Sequence, residues 1–213
     1  MDFKPTEDQI NLREAARAFA QGEMREIARE MEDDDFSLPK EWIKRYAEMG
    51  FLGINVAREL GGMGLGNLEA LIVLEEFAKV SPAIAFPIFE SSVGPVRAVE
   101  HFANDALARR VLPAVCRGDM VVAVAMSEPD AGSALTDLKT AGRIDGDKVI
   151  VNGQKRWSSG GGHADGYVVY ARLADKPGAG GIGAVFVEKD TPGVSFGQRE
   201  HLMGFRGIET ADI

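Results

Sequence analysis

The chain has 213 residues, 45% of them hydrophobic and 27% charged, with a formal net charge of −9. That balance suits a folded protein with room for two small domains and excludes a disordered segment. The negative charge argues against a nucleic-acid surface, which needs a basic patch, but leaves a phosphate-bearing ligand open, because main-chain N–H groups and hydroxyls supply local donors.

Residues 1–118 read as helices. The opening "MDFKPTEDQI" lacks the basic start and apolar stretch of a signal peptide. "PTEDQINLREAARAFAQGEMREIAREME" places Gln9 three residues after Thr6, a capping-box spacing, and spreads Ala15, Ala16, Phe19 and Ile27 along one imperfect apolar stripe. The acidic "EDDDF" that follows reads as a solvated helix end, since no glycine and terminal Glu follow at calcium-loop spacing. "LPKEWIKRYAEMG" predicts a second helix, entered near Pro39 and stopped by Gly50. "GGMGLGN" superficially resembles a nucleotide loop, yet it has no preceding strand and no Gly-Lys-Ser ending, so it reads as a turn between helices. "GNLEALIVLEEFAKV" predicts a third helix capped by Asn67, and "GPVRAVEHFA" and "NDALARRVLPAVC" a fourth and fifth. Cys116 is the only cysteine, which rules out an internal disulfide and reads as a small half-buried hydrophobe.

The pattern changes near Gly118. Of 25 glycines, 9 lie in residues 1–118 and 16 in the shorter remainder, as strands joined by tight turns require. "MVVAVAM" predicts a buried strand; it is also the longest apolar run and falls far short of the about 18 residues of a membrane span. "AGRIDGDKVIVNGQKRW" predicts strand, Asp-Gly turn, strand, Asn-Gly turn, strand. "DGYVVYARL", "GIGAVFVEK" and "GVSFGQRE" predict further strands. The fold class is therefore α+β, a helical domain over 1–118 followed by a small antiparallel barrel or sandwich over 119–213. His101, His163 and His201 are isolated from one another and from Cys116, with no metal-ligand spacing, so no metal site is assigned.

Two loops hold the remaining chemistry. "AMSEPDAGS" sets Ser127 directly after a strand and continues through a proline into Gly132 and Ser133, whose N–H groups and hydroxyl could hold an anion or the edge of a polar ring. "GQKRWSSGGG" delivers Trp157, a flat face for stacking, followed by the hydroxyls of Ser158 and Ser159. The residues alone leave open the plainer alternative of a core tryptophan and two ordinary turns.

Four segments in order, "TEDQINLREAARAFA", "YAEMGFLGINVARELGGMGLG", "AMSEPDAGSALTDLKTAGRIDGDKVIVNGQKRWSSGGGHADGYVVYAR" and "GVSFGQREHLMGFRGIETADI", resemble the acyl-CoA dehydrogenases along nearly the whole chain. The resemblance implies an FAD-dependent oxidoreductase that removes hydrogen from the α and β carbons of an acyl-CoA, the hydride going to flavin N5 and the α-proton to a carboxylate. It implies that Val124, Met126, Ser127, Gly132 and Ser133 line one part of the cofactor, that Trp157, Ser158 and Ser159 line the other, and that Ser133 also approaches the acyl-CoA. It further implies fatty-acid metabolism, a homo-oligomer (dimer or tetramer) and an electron-transfer flavoprotein or similar acceptor as partner, while the opening stretch and the short apolar runs lead to the expectation of a cytoplasmic protein. Four departures stand out: Ser127 for Thr, Ala134 for Asp, Ser158 for Ile, and "VAREL" for the usual Pro-Glu-Tyr. The family's C-terminal four-helix domain, which carries the catalytic Glu, has no counterpart in these residues. No catalytic residue is therefore assigned, and a fragment of a longer polypeptide is expected. The alternatives are a related flavin monooxygenase, oxidase or desulfinase, or a non-catalytic flavin- and acyl-CoA-binding subunit.

Overall fold

The computed structural model describes residues 4–213; Met1–Phe3, part of the opening stretch weighed above against a signal peptide, lie outside the described residues. The chain divides into two compact units, Met1–Val121 with His201–Ile208, and Val122–Glu200 with Glu209–Ile213. The boundary falls near the change of pattern at Gly118, but the returning segment 201–208 joins the helical unit.

In the helical unit, α1 (Glu7–Gly22) begins at Thr6 with both halves of the expected capping box in place. The single long helix expected here breaks after Gly22, and α2 runs over Arg25–Asp34. Buried Met24 occupies the break, so packing turns the chain where periodicity alone would continue it. Next come α3 (Lys40–Glu48) and α4 (Asn67–Ala78). The cap of α4 is Gly66 rather than Asn67: the Glu69 carboxylate accepts from the Gly66 N–H, while Asn67 is already helical and its side chain accepts from Asn55. Helix α5 (Pro82–Ser92) was not legible in the sequence, because it contains Pro87 as well as Pro82 at its start. Its burial outweighs that penalty, since Ala83, Ile84, Ala85 and Ile88 all enter the core. Helices α6 (Pro95–Phe102) and α7 (Asp105–Cys116) close the set.

The core centres on the rings of Phe19, Tyr46, Phe51 and Phe77, whose centroids lie 5.1–5.8 Å apart. The Tyr46 hydroxyl donates to the Ile84 carbonyl at 3.0 Å. Cys116 is buried, and burial, reinforced by Glu100, pushes its thiol up to about 11, which leaves it inert. The acidic helix end is less solvated than expected: the Asp35 carboxylate accepts from the Gly207 N–H at 2.9 Å. That bond, the Phe205 ring 5.2 Å from Phe86, and Ile208 in the core hold segment 201–208 to this unit.

The second unit carries β1 (Val122–Ala125), β2 (Ala141–Asp145), β3 (Lys148–Asn152), β4 (Ser158–Ser159), β5 (Gly166–Arg172), β6 (Ile182–Glu188) and β7 (Thr210–Ala211). β5 is central, its Tyr167, Val168, Val169 and Ala171 buried. β6 pairs with β5 antiparallel, and β2 with β3 through the expected hairpin, where Gly146 supplies a φ of 64° at the first loop position. The sheet is mixed rather than antiparallel, because β1 and the start of β2 both pair with β5 in parallel. Tight-turn signals reveal only neighbours joined by hairpins, and neither parallel pair is joined by one. The Asn-Gly step is not a hairpin either. Gly153 passes close against Thr140, where an added Cβ would lie 2.7 Å from the Thr140 Cα, and the chain runs on to pair with other segments. "GVSFGQRE" forms no regular strand, although the Gly197 and Glu200 N–H groups donate to Asp212 and Thr210 carbonyls.

No helix among the described residues is long and apolar enough to cross a membrane, and no group of three or more His, Cys, Asp and Glu among them is placed to hold a metal.

Candidate functional site

The site grows from the end of β1. Val124 is half-buried and registers with Val168 of β5. Beyond it Met126 and Ser127 lie half-buried, and their carbonyls are taken by one neighbouring segment: Lys155 Nζ donates to Met126 at 3.0 Å and the Arg156 N–H to Ser127 at 2.8 Å. On its other side that segment pairs with the chain end, Lys155 and Ile213 exchanging main-chain bonds of 2.7 and 2.9 Å. Met126, Ser127 and Trp157 thus stand on adjacent, hydrogen-bonded stretches although thirty positions separate them.

Trp157 leaves this clamp with φ +54°, a left-handed conformation that few non-glycine residues adopt. Its indole is 58% exposed rather than sealed in the core. The Arg156 guanidinium sits 4.9 Å from the ring centroid and is itself 3.7 Å from Asp212, whose other oxygen accepts from the Trp157 N–H at 3.4 Å. Ser159 is half-buried on β4. Ser158, its neighbour, is buried, and by strand alternation it faces the opposite side. The Ser158 Oγ has no hydrogen-bond partner among the described residues.

The loop after Ser127 closes on itself, Glu128 and Ala131 exchanging main-chain bonds of 2.9 and 3.2 Å around exposed Pro129 and Asp130. Gly132 and Ser133 follow, both exposed, with no hydrogen bond to either N–H among the described residues. No atom lies within 4 Å of where a Gly132 Cβ would be, so the backbone there is open to a ligand's approach. Gly132 and Ser133 belong to the outer loop rather than to the clamp that carries Trp157.

Sequence reasoning did not find Glu128 and Lys155. Both are buried, with a 2.8 Å ion pair between them, and Glu128 also accepts from the Thr140 N–H at 2.8 Å and the Lys139 N–H at 2.5 Å. Burial works against the Glu128 charge, but these donors outweigh it and hold the carboxyl at about 2. Burial lowers the Lys155 ammonium, with Glu128 opposing. No local pattern marks either residue, because the pairing spans 27 positions.

Comparison with known proteins follows the same two parts. A family model described as acyl-CoA dehydrogenase, N-terminal domain, matches residues 6–119, and one described as acyl-CoA dehydrogenase, middle domain, matches residues 123–213. The chain is 37% identical to acryloyl-CoA reductase (NADH) of Anaerotignum propionicum over 215 residues, covering 100% of this chain and 54% of that protein. Butyryl-CoA dehydrogenase from Megasphaera elsdenii superposes with a TM-score of 0.91 at 26% identity, over 100% of this chain and 56% of that one. A structure described as the FAD complex of PigA superposes with a TM-score of 0.92 at 26% identity, again over 100% and 56%. The chain spans about half the length of these relatives.

Proposed function

The chain belongs to the acyl-CoA dehydrogenase family, and on that premise we propose that it forms the helical and β-rich parts of an FAD-dependent enzyme that oxidises the Cα–Cβ bond of an acyl-CoA. The observation that carries this reading is Trp157, a half-exposed indole in a left-handed backbone position, steadied by Arg156 and Asp212. A large aromatic face held rigid and uncovered suits stacking on a second flat ring.

The surrounding residues fit such a group. Gly132 and Ser133 offer unengaged main-chain donors to an anionic or polar edge, and Ser133 is also placed on the exposed loop where an acyl-CoA could meet it. The Met126–Ser127 stretch, backed by Val124, forms a second wall, with the Ser127 and Ser159 hydroxyls as donors to ring heteroatoms. Ser158 lines the inner side of the same strand, its unpartnered hydroxyl next in sequence to the indole. When bound, FAD supplies the acceptor for the electrons taken from the substrate. This chain's part is to hold and orient, and to shield one face of the site from water. The acceptor of the α-proton is a carboxylate outside this segment, so no catalytic residue is assigned to it. With this reading go a homo-oligomeric, cytoplasmic enzyme of fatty-acid metabolism and an electron-transfer flavoprotein or similar acceptor.

The full-length polypeptide reconstituted with FAD is expected to be yellow and to bleach when butyryl-CoA or another acyl-CoA is added. A colourless protein that takes up no FAD overturns the flavin site. A yellow protein that acyl-CoAs leave unbleached, and that consumes oxygen or releases sulfite, replaces dehydrogenation with another flavin chemistry on the same fold.

A further inference from the structure

A buried ion pair is weak evidence of a stabilising role, since apolar residues of similar volume often serve the fold as well. The Glu128–Lys155 pair, with side-chain exposures of only 5% and 3%, therefore invites a different explanation. Its remaining bonds all run to main chain on which the candidate site is built. Lys155 Nζ holds the Met126 carbonyl, and the adjoining Arg156 N–H holds that of Ser127. Glu128 takes the N–H groups of Lys139 and Thr140, drawing together the two ends of the loop that carries Gly132 and Ser133. Two residues further along from Lys155 stands Trp157.

We infer that Glu128 and Lys155 are a positioning pair. Lys155 sets the gap between the Met126–Ser127 wall and the Trp157 indole, and Glu128 closes the base of the Gly132–Ser133 loop. Together they determine how tightly the flavin is held and what surrounds its ring. The inference rests on the flavin reading above. Neither side chain touches the cofactor in this scheme, and both act through main chain.

The test uses the full-length polypeptide and compares wild type, Lys155→Met, the neutral double variant Glu128→Gln/Lys155→Met, and Lys155→Arg. Three quantities are read: thermal midpoint, FAD dissociation constant and the visible absorption of bound flavin. Lys155→Met leaves a buried carboxylate without its cation and should lose thermal stability. The double variant removes both charges and should recover most of that loss, yet still bind FAD about tenfold more weakly and with displaced absorption maxima. Recovery of wild-type affinity and spectrum together with stability overturns the inference, because the pair is then only structural. Should the double variant not fold, Lys155→Arg decides. It keeps the charge but moves the donor from the Met126 carbonyl, and is expected to shift the spectrum; a wild-type spectrum and affinity there overturn the inference. Failure of the wild type itself to bind FAD is a separate result, and it removes the flavin reading together with this inference.

Discussion

At Trp157 a non-glycine residue sits in a backbone region that costs about 1–3 kcal/mol, which persists only where the surroundings over-determine it. Asp212 and the Arg156 guanidinium are those surroundings. Trp157→Gly relieves the strain and removes only a half-exposed ring. Its thermal midpoint is expected to stay close to wild type, within about 1 kcal/mol, while FAD affinity measured by flavin fluorescence falls at least about tenfold. Ser158 makes the complementary case. A buried hydroxyl without a partner costs about 1–3 kcal/mol, so Ser158→Ala is expected to raise the denaturation midpoint of the FAD-free protein. A midpoint lowered by Ser158→Ala would show that the hydroxyl is satisfied in solution.

Local signals and tertiary packing can be separated element by element. The capping box at Thr6 was legible because it depends on two residues three apart, and Thr6→Ala is expected to cost about 1 kcal/mol in urea denaturation. The Gly146 turn was legible for the same reason: backbone sterics decide it within two residues. The break between α1 and α2 was not, because buried Met24 is fixed by the core rather than by its neighbours in sequence. The Asn-Gly step misled. Gly153 is needed for its close passage by Thr140 instead of for a hairpin, and Thr140 in turn donates its N–H to Glu128. Gly153→Ala should therefore cost about 1–3 kcal/mol by overpacking, read as a lowered thermal midpoint. In the candidate site, the residue types and their order along the two loops were legible. The clamp between Met126–Ser127 and Lys155–Arg156, which brings the loops together, was not.

At the scale of the whole molecule, two carboxyl groups of the helical unit oppose one another in pH dependence. The Arg17 guanidinium bonded to buried Glu76, with Lys79 beside it, holds that carboxyl at about 2, below its usual 4.5. Its contribution is present above pH 4.5 and is lost as pH falls toward 2. Burial alone pushes Glu90 up to about 8 from 4.5. The native state keeps that proton, so this contribution is complete below pH 4.5 and is lost as pH rises through 8. Stability of the unit should peak near pH 5 and fall on both sides, by about 5 kcal/mol over the whole alkaline limb. Urea midpoints across pH check this. Glu90→Gln is expected to flatten the alkaline limb and Glu76→Gln the acid limb, and an alkaline limb that survives Glu90→Gln would refute the assignment.

The sequence by itself determined the order of a helical and a strand-rich part, the Thr6 capping box, the Gly146 turn, and the family to which the ordered motifs belong. These follow from backbone sterics, periodicity and residue order, which act over a few positions. Only the tertiary structure decided that β1 runs parallel to β5, that α5 forms despite two prolines, that residues 201–208 return to the helices, and that Trp157 stands exposed beside a buried ion pair. Each of those depends on groups that meet across long stretches of chain, 27 positions for Glu128 with Lys155 and 172 for Asp35 with Gly207. Such contacts leave no periodic mark, because burial and hydrogen bonding select the partner only after the chain has folded.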